Sequence, residues 1–149
     1  MNGEKVYVYA QDGSLLLERD MNATITRGVG DQLLLSEGDW GAWCTSIVTG
    51  EGVMLERRDQ YLLPLDDELY LFLMMDVTAY DSQTLGDIRY SCDYDSIRYG
   101  LLDTEGNEIL PAEYLDILRV GKGRYLLLSE DGERVIDADG EILWCRLKE

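Results

Sequence analysis

Histidine is absent from this chain of 149 residues, and cysteine, proline and phenylalanine are scarce. Without an imidazole side chain the protein has no His-based acid–base catalysis, no His-containing catalytic triad and few of the usual zinc sites. The three cysteines, Cys44, Cys92 and Cys145, are odd in number and widely spaced. Because a disulfide framework needs an even count, we expect reduced thiols and a cytoplasmic location. We expect Cys44 and Cys145 to be buried in strands and Cys92 to be exposed.

Long apolar runs and basic residues are also in short supply. The longest apolar run, 69–75, is far shorter than the roughly 20 residues of a membrane-spanning helix. The first residues contain no basic segment ahead of an apolar one, so we expect no secretory leader. Lys and Arg number 13 against 30 acidic residues, for a net charge of −17. Nucleic acids and anionic membranes bind through Lys and Arg, so we expect neither as a partner. Such a surface could attract a basic protein, although a solvated acidic surface with no specific partner is the simpler interpretation.

The chain is rich in short runs of β-forming residues that are separated by glycine turns. The runs 5–9 and 14–17 flank the dipeptide Asp12-Gly13, which is a strong hairpin signal. Residues 21–26 are typical of a connector. Further strand-like runs lie at 32–36, 53–55 and 68–75, with breaks expected at Pro64 and Pro111. No amphipathic helix of three turns is visible, so we predict one all-β domain.

Two stretches of the chain resemble each other. Residues 12–37 align without a gap on residues 105–130, and 9 of these 26 positions are identical. Chance would give about two identities, so the similarity indicates an internal repeat. We predict four units, at 5–37, 38–75, 98–130 and 131–145. The segment 76–97 breaks the rhythm and is expected to be an acidic insertion, either a loop or an irregular hairpin.

One unit carries a recognisable motif. Tyr99-Gly100, two apolar residues, Asp103, Gly106, an apolar pair and Pro111 follow one another at fixed spacings. This pattern resembles the WG-repeat family, with Tyr where Trp is usual. Trp40-Gly41 supplies the signature dipeptide itself, although its glycine turn lies too far along. The similarity is strong over 98–144 and weaker over 5–65.

The resemblance implies a fold and assigns structural roles. Short antiparallel β units would stack on one another because each is too small to bury an apolar face alone. The motif's aromatic ring would pack, its glycine would adopt a positive φ, and its Asp would cap a turn. The four units would be stacked or closed into a small propeller-like or barrel-like arrangement, or would form an open curved array. Pairing of 5–9 with 141–145 would favour closure. The family supplies no catalytic residue to transfer.

The acidic insertion is the best place for a binding site. Tyrosine is enriched at interfaces, and segments that a scaffold does not require often hold function. The candidate residues for binding a partner are Tyr80, Asp87, Tyr90, Asp93, Tyr94 and Asp95. An irregular strand packed on the core, with its tyrosines in structural roles, is an equally open interpretation. The clustered aspartates could also hold calcium, although their spacing fits no EF-hand.

The function predicted from these features is a non-enzymatic binding or scaffolding module, with a protein as its partner and without cofactor or metal. A second hypothesis is an acidic mimic that occupies the basic surface of a nucleic-acid-binding protein. A third, more distant hypothesis is a carbohydrate hydrolase that uses two carboxylates. Its candidates are the acidic runs 66–68, 93–95 and 137–139.

Overall fold

A computed structural model describes residues 5–20, 23–38, 43–81 and 88–148, without the side chains of 20, 79–81 and 88–90. Within these residues the chain forms strands and no helix, so the predicted all-β class is confirmed. The described residues therefore contain no helix that is long and apolar enough to cross a membrane. The strands are β1 (Lys5–Tyr9), β2 (Leu15–Asp20), β3 (Thr24–Arg27), β4 (Leu33–Glu37), β5 (Cys44–Thr49), β6 (Gly52–Arg58), β7 (Tyr61–Pro64), β8 (Leu69–Asp81), β9 (Ile88–Asp103), β10 (Glu108–Tyr114), β11 (Asp116–Gly121), β12 (Arg124–Ser129), β13 (Gly132–Ile136) and β14 (Ile142–Leu147).

These strands form four sheets. Their orders are β1-β2, β3-β4-β5-β6, β7-β8-β9-β10 and β11-β12-β13-β14. Strand β1 pairs with β2, and β14 pairs with β13, so the terminal strands do not make the pairing that would favour closure. Among the described residues no sheet closes into a barrel.

The chain divides into two compact units. Unit 1 comprises Met1–Tyr61 and Val77–Ser91, and unit 2 comprises Leu62–Asp76 and Cys92–Glu149. Each has its own apolar cluster. The cluster of unit 1 is Val8, Leu17, Ala23, Leu35 and Val48. The cluster of unit 2 is Leu69, Leu101, Ile117, Tyr125, Leu127 and Ile136. The boundaries of the four sequence repeats stay a prediction.

Three local predictions need correction. The segment 76–97 is strand up to Asp81 and again from Ile88, and these strands are neighbours in one sheet, while 82–87 lies outside the described residues. The loop alternative is therefore wrong for the described part, and the hairpin alternative is not contradicted. Alternating β-branched and aromatic residues favour strand here despite the many aspartates. The connector at 21–26 contains strand β3. Pro111 does not break the chain but lies within β10, which is an edge strand, where proline is tolerated.

The acidic-glycine turns repeat one geometry. Gly106 has a φ of 88°, which favours glycine, and its N–H donates to the Asp103 carbonyl at 3.1 Å. Oδ1 of Asp103 accepts from the backbone N–H groups of Glu105 and Asn107 at 2.9 and 2.8 Å. The turns at Gly13 and Gly140 have the same backbone hydrogen bonds, with φ of 90° and 88°. The positive φ and the Asp cap expected for this motif are therefore confirmed.

The identical Leu-Leu-Leu-Ser-Glu blocks, in contrast, differ in how many leucines they bury. In unit 1 both Leu34 and Leu35 are buried. In unit 2 Leu127, the counterpart of Leu34 in the gapless alignment, is buried, but Leu128, the counterpart of Leu35, is half-buried. The hairpins that contain the two blocks also differ. Arg27 pairs with Leu33 across the turn 28–32, while β11 and β12 are joined by the tighter turn 122–123. Leu126 pairs with Leu118, which is two residues from the aligned counterpart of Arg27, and a shift of two residues keeps the facing of a strand.

Candidate functional site

The sheet β11-β12-β13-β14 of unit 2 has two apolar faces. Directly opposite residues of an antiparallel ladder point to the same side of the sheet. One side carries Ile117, Tyr125, Leu127 and Ile136 and forms the core of the unit. On the other side Leu118 lies opposite Leu126, Leu126 opposite Val135, and Val135 opposite Trp144. We call Leu118, Leu126, Val135 and Trp144 the outer row.

The outer row faces solvent. Leu118 and Trp144, at its two ends, are 44% and 47% exposed. Leu126 and Val135, between them, are half-buried. An antiparallel sheet with one face on the core normally turns polar side chains outward. Contiguous apolar side chains on the outward face are therefore typical of an interaction surface.

A charged row borders it on one side. Asp116 lies opposite Leu128, Leu128 opposite Glu133, and Glu133 opposite Arg146. Nη2 of Arg146 is 2.6 Å from Oε2 of Glu133, and its guanidinium carbon is 6.0 Å from the ring centre of Trp144. The Arg146 side chain is 70% exposed, so each contact contributes on the order of 1 kcal/mol or less. The outer row thus combines an apolar centre with a charged rim.

Strand β14 is the edge of this sheet, and every one of its residues is exposed. The Lys148 N–H donates to the Asp131 carbonyl at 2.8 Å. Backbone groups alternate in direction along a strand, so the N–H and C=O groups of Arg146 and Trp144 also point toward β13. The N–H and C=O groups of Cys145 and Leu147 point away from it. Among the described strands β13 is the only neighbour of β14 in the sheet.

Gly132 lets β14 approach β13. It has a φ of 146°, and it lies opposite Leu147. A Cβ at this position would lie 2.2 Å from the carbonyl oxygen of Arg146. No side chain fits there without moving β14, so the glycine is what permits this pairing.

The cysteines are all free, but their exposure differs from the prediction. Cys145 is exposed, whereas we expected it to be buried, because β14 is an edge strand and all of its residues are exposed. Cys44 and Cys92 are half-buried. Burial raises the pKa of the Cys44 thiol. A strand-like sequence therefore did not determine which strands lie in the interior.

The predicted binding residues in the acidic segment are only partly described. Tyr94 lies on β9 and is 67% exposed. Oδ1 of Asp93 accepts from the Asp95 N–H at 3.1 Å, so Asp93 has a local structural role. Tyr80 and Tyr90 belong to β8 and β9, but their side chains, like all of Asp87, lie outside the described residues. Whether the six residues form one site stays a prediction.

The acidic pairs considered for hydrolysis or metal binding have structural partners. Oδ1 of Asp66 accepts from the N–H groups of Glu68 and Leu69 at 2.8 and 3.0 Å, and Oδ2 accepts from the Tyr125 hydroxyl. Oδ1 of Asp137 caps its own turn through the Asp139 N–H at 2.9 Å. In the part of the chain that the structure describes, no three acidic or cysteine side chains are placed to hold a metal ion.

An open cleft of about 640 Å³ lies beside the β12–β13 turn. Arg134 and Arg98 line it, together with Tyr114. Arg134 contacts both carboxylate oxygens of Asp131 at 3.0 and 2.9 Å, which holds the pKa of Asp131 well below its usual range. Arg98 Nη2 is 3.2 Å from Oε1 of Glu130. Both arginines of the cleft are therefore paired with carboxylates of this turn.

The outer row was not predicted from the sequence. Leu126 stands in an uninterrupted leucine run, from which the outward residues cannot be identified by periodicity. Trp144 and Leu118 could have been recognised as outward only with the registers of β11, β13 and β14 in hand. No family model, no curated protein and no solved structure matches the chain. The resemblance to the WG-repeat family and the repeat itself therefore stay predictions.

Proposed function

We propose that this protein is a non-enzymatic binding module that holds another protein against the outer row. One observation carries the proposal: four apolar side chains lie in register across four strands on the solvent side of a sheet. Such a patch is energetically unfavourable in water, and a partner would cover it. Membership of the WG-repeat family, and duplication of the segment that includes residues 12–37 and 105–130, would fit a scaffold of this kind.

The charge of the chain supports a basic partner. The net charge of −17 creates a field that attracts a cationic protein and raises its rate of association. Contact at the outer row would then bury apolar surface and so stabilise the complex that the electrostatic field helps to form. Long-range charge and local apolar contact therefore have separate roles in this proposal.

The test compares partner capture by matched variants of the full chain. Leu118→Glu places a charge at one end of the outer row, and Val53→Glu makes the same kind of change at a 40% exposed residue of β6. After cross-linking in native cells and quantitative mass spectrometry, Leu118→Glu should lose the captured proteins and Val53→Glu should keep them. Capture that Leu118→Glu leaves unchanged would contradict the proposal. Tyr94→Ser, tested alongside, shows whether β9 contributes.

The second candidate is an acidic mimic of nucleic acid. The exposed carboxylates of Glu130 and Asp131, at 80% and 63% side-chain exposure, favour it. Binding of this kind would weaken steeply with salt, because it depends on surface charge. Affinity for a captured partner that stays constant from low to high salt would exclude the mimic and leave the outer row as the explanation.

A further inference from the structure

We infer that β14 accepts an extended segment of another protein as an additional antiparallel strand, and that this segment carries carboxylates opposite Arg146 and Lys148. The inference rests on the proposed function and specifies its mode of recognition. Strand addition to a free sheet edge is a common mode, in which backbone hydrogen bonds supply affinity and alternate side chains supply specificity.

The backbone of β14 is ready for such pairing. The N–H and C=O groups of Cys145 and Leu147 point away from β13, which is the only neighbouring strand among the described residues. No proline lies in Ile142–Leu147, although proline is a usual way to block an edge. The register shift between Val135 and Ile136 is confined to the first part of β14. The second half of β14 therefore offers a regular edge.

The side chains of β14 specify what the added strand should carry. Cys145 and Leu147 lie on the core side of the sheet and are exposed, so apolar residues should lie beside them. Arg146 lies on the side of the outer row, where its Nη2 is paired with Glu133, and alternation places Lys148 there as well. The matching segment thus alternates apolar residues with carboxylates. Cations on an edge strand disfavour uncharged strands and select one that brings the opposite charge.

A second copy of this chain is a poorer match to β14. Each copy carries a charge of −17, so two copies repel each other. The segment Ile142–Leu147 contains Arg146 as its one charged residue and therefore offers no carboxylate to the cations of a partner copy. An acidic and apolar segment of an otherwise basic protein satisfies both requirements, because the net charge of that protein attracts this chain while the segment supplies the carboxylates.

Two synthetic peptides provide the probe. One alternates Val and Glu over the length of β14, with blocked ends, and the other has Lys in place of Glu. Net charge alone predicts that the Lys peptide binds the acidic chain more tightly. At about 0.15 M salt the Debye length is about 8 Å, so contacts at the edge dominate. We expect the Glu peptide to bind about tenfold more tightly than the Lys peptide, measured by calorimetric titration of the full chain.

Matched variants locate the binding. Cys145→Pro removes an outward N–H and keeps the bonds to β13, so binding of the Glu peptide should be lost. Glu56→Pro is the control and should leave binding unchanged. Glu56 is on β6, which is an edge strand of the sheet in unit 1. Because the Asp59 N–H donates to the Trp43 carbonyl, alternation implies that the N–H of Glu56 points outward from the sheet. A second pair of variants tests the charge and leaves the backbone groups unchanged. Lys148→Glu should abolish the preference for the Glu peptide over the Lys peptide. Lys122→Glu, at an exposed turn residue, should leave that preference as it is. Circular dichroism and urea unfolding check that each variant folds.

Several results would overturn the inference. Tighter binding of the Lys peptide would do so, as would a Cys145→Pro variant that binds as the wild type does. A chain that is a dimer in sedimentation, and that Cys145→Pro turns into a monomer, would show a second copy on β14 instead. If neither peptide binds while Leu118→Glu still loses its captured proteins, strand addition is wrong and the binding function stands. If the Glu peptide binds but Leu118→Glu changes nothing, the proposed use of the outer row is what fails.

Discussion

The hydroxyl group of Tyr125 donates a hydrogen bond to Oδ2 of Asp66 and so joins strand β12 to the turn between β7 and β8. Tyr125 is fully buried, and the Asp66 side chain is 12% exposed. The other oxygen of Asp66 accepts two backbone N–H groups of the turn. One carboxylate therefore shapes the start of β8 and satisfies the polar end of a fully buried tyrosine in the core of unit 2.

Replacing Tyr125 with phenylalanine should destabilise the protein. The ring would still fill its place, but the Asp66 carboxylate would lose a partner in a largely buried position. Hydrogen bonds to charged groups contribute about 1.5–3 kcal/mol, so we expect a loss of that order in the free energy of unfolding measured with urea. Tyr94→Phe, at an exposed ring, should leave the unfolding curve unchanged. Equal stability of Tyr125→Phe and wild type would contradict this role.

The same pair predicts a dependence on alkaline pH. Burial, together with the hydrogen bond to Asp66, raises the pKa of Tyr125 above its ordinary value of 10.0. The unfolded chain therefore loses this proton at lower pH than the folded one, so the stabilisation is complete below pH 10.0 and declines as the pH rises above it. Urea unfolding from pH 8 to 11 should show a steeper decline for wild type than for Tyr125→Phe. Parallel curves would rule out the tyrosine as the cause.

Gly132→Ala should loosen β14. The added methyl group would lie 2.2 Å from the Arg146 carbonyl, at a φ of 146° that side chains rarely adopt. We expect a loss of about 1–3 kcal/mol in the free energy of unfolding and faster hydrogen exchange at Arg146. Gly50→Ala is the matched control, because its Cβ would meet no atom within 4 Å and its φ is not positive. Unchanged exchange at Arg146 in Gly132→Ala would show that β14 tolerates the methyl group.

The thiols of Cys145 and Cys44 should react at different rates with an aromatic disulfide reagent. Cys145 is exposed on β14, whereas Cys44 is half-buried and burial raises its pKa, which lowers the fraction of reactive thiolate. We expect one fast phase that Cys145→Ser removes and a slow phase that Cys44→Ser removes. Mass spectrometry of the partly labelled protein assigns each phase. Labelling of Cys44 before Cys145 would indicate that β14 is covered.

Much of the local structure could be predicted from the sequence alone. The turn at Gly106 and the cap by Asp103 depend on neighbours within four residues, so the local sequence is enough to predict them. Hairpin β1-β2 follows from Asp12-Gly13 for the same reason. The acidic segment was harder, because its aspartates suggested a loop while its alternating aromatic and β-branched residues formed strands β8 and β9.

What the sequence by itself determined is the all-β class, the positions of the turns and the strong negative charge, all of which depend on composition and on nearby residues. The tertiary structure alone decided which side of each strand faces the core. Of two identical leucine blocks, the one in unit 1 buries both Leu34 and Leu35, whereas in unit 2 Leu127 is buried and Leu126 is half-buried, because burial of a second face depends on residues distant in the chain. The pairing of β11 to β14 places Leu126 on the side away from the core, and the outer row exists only because four strands align in this register.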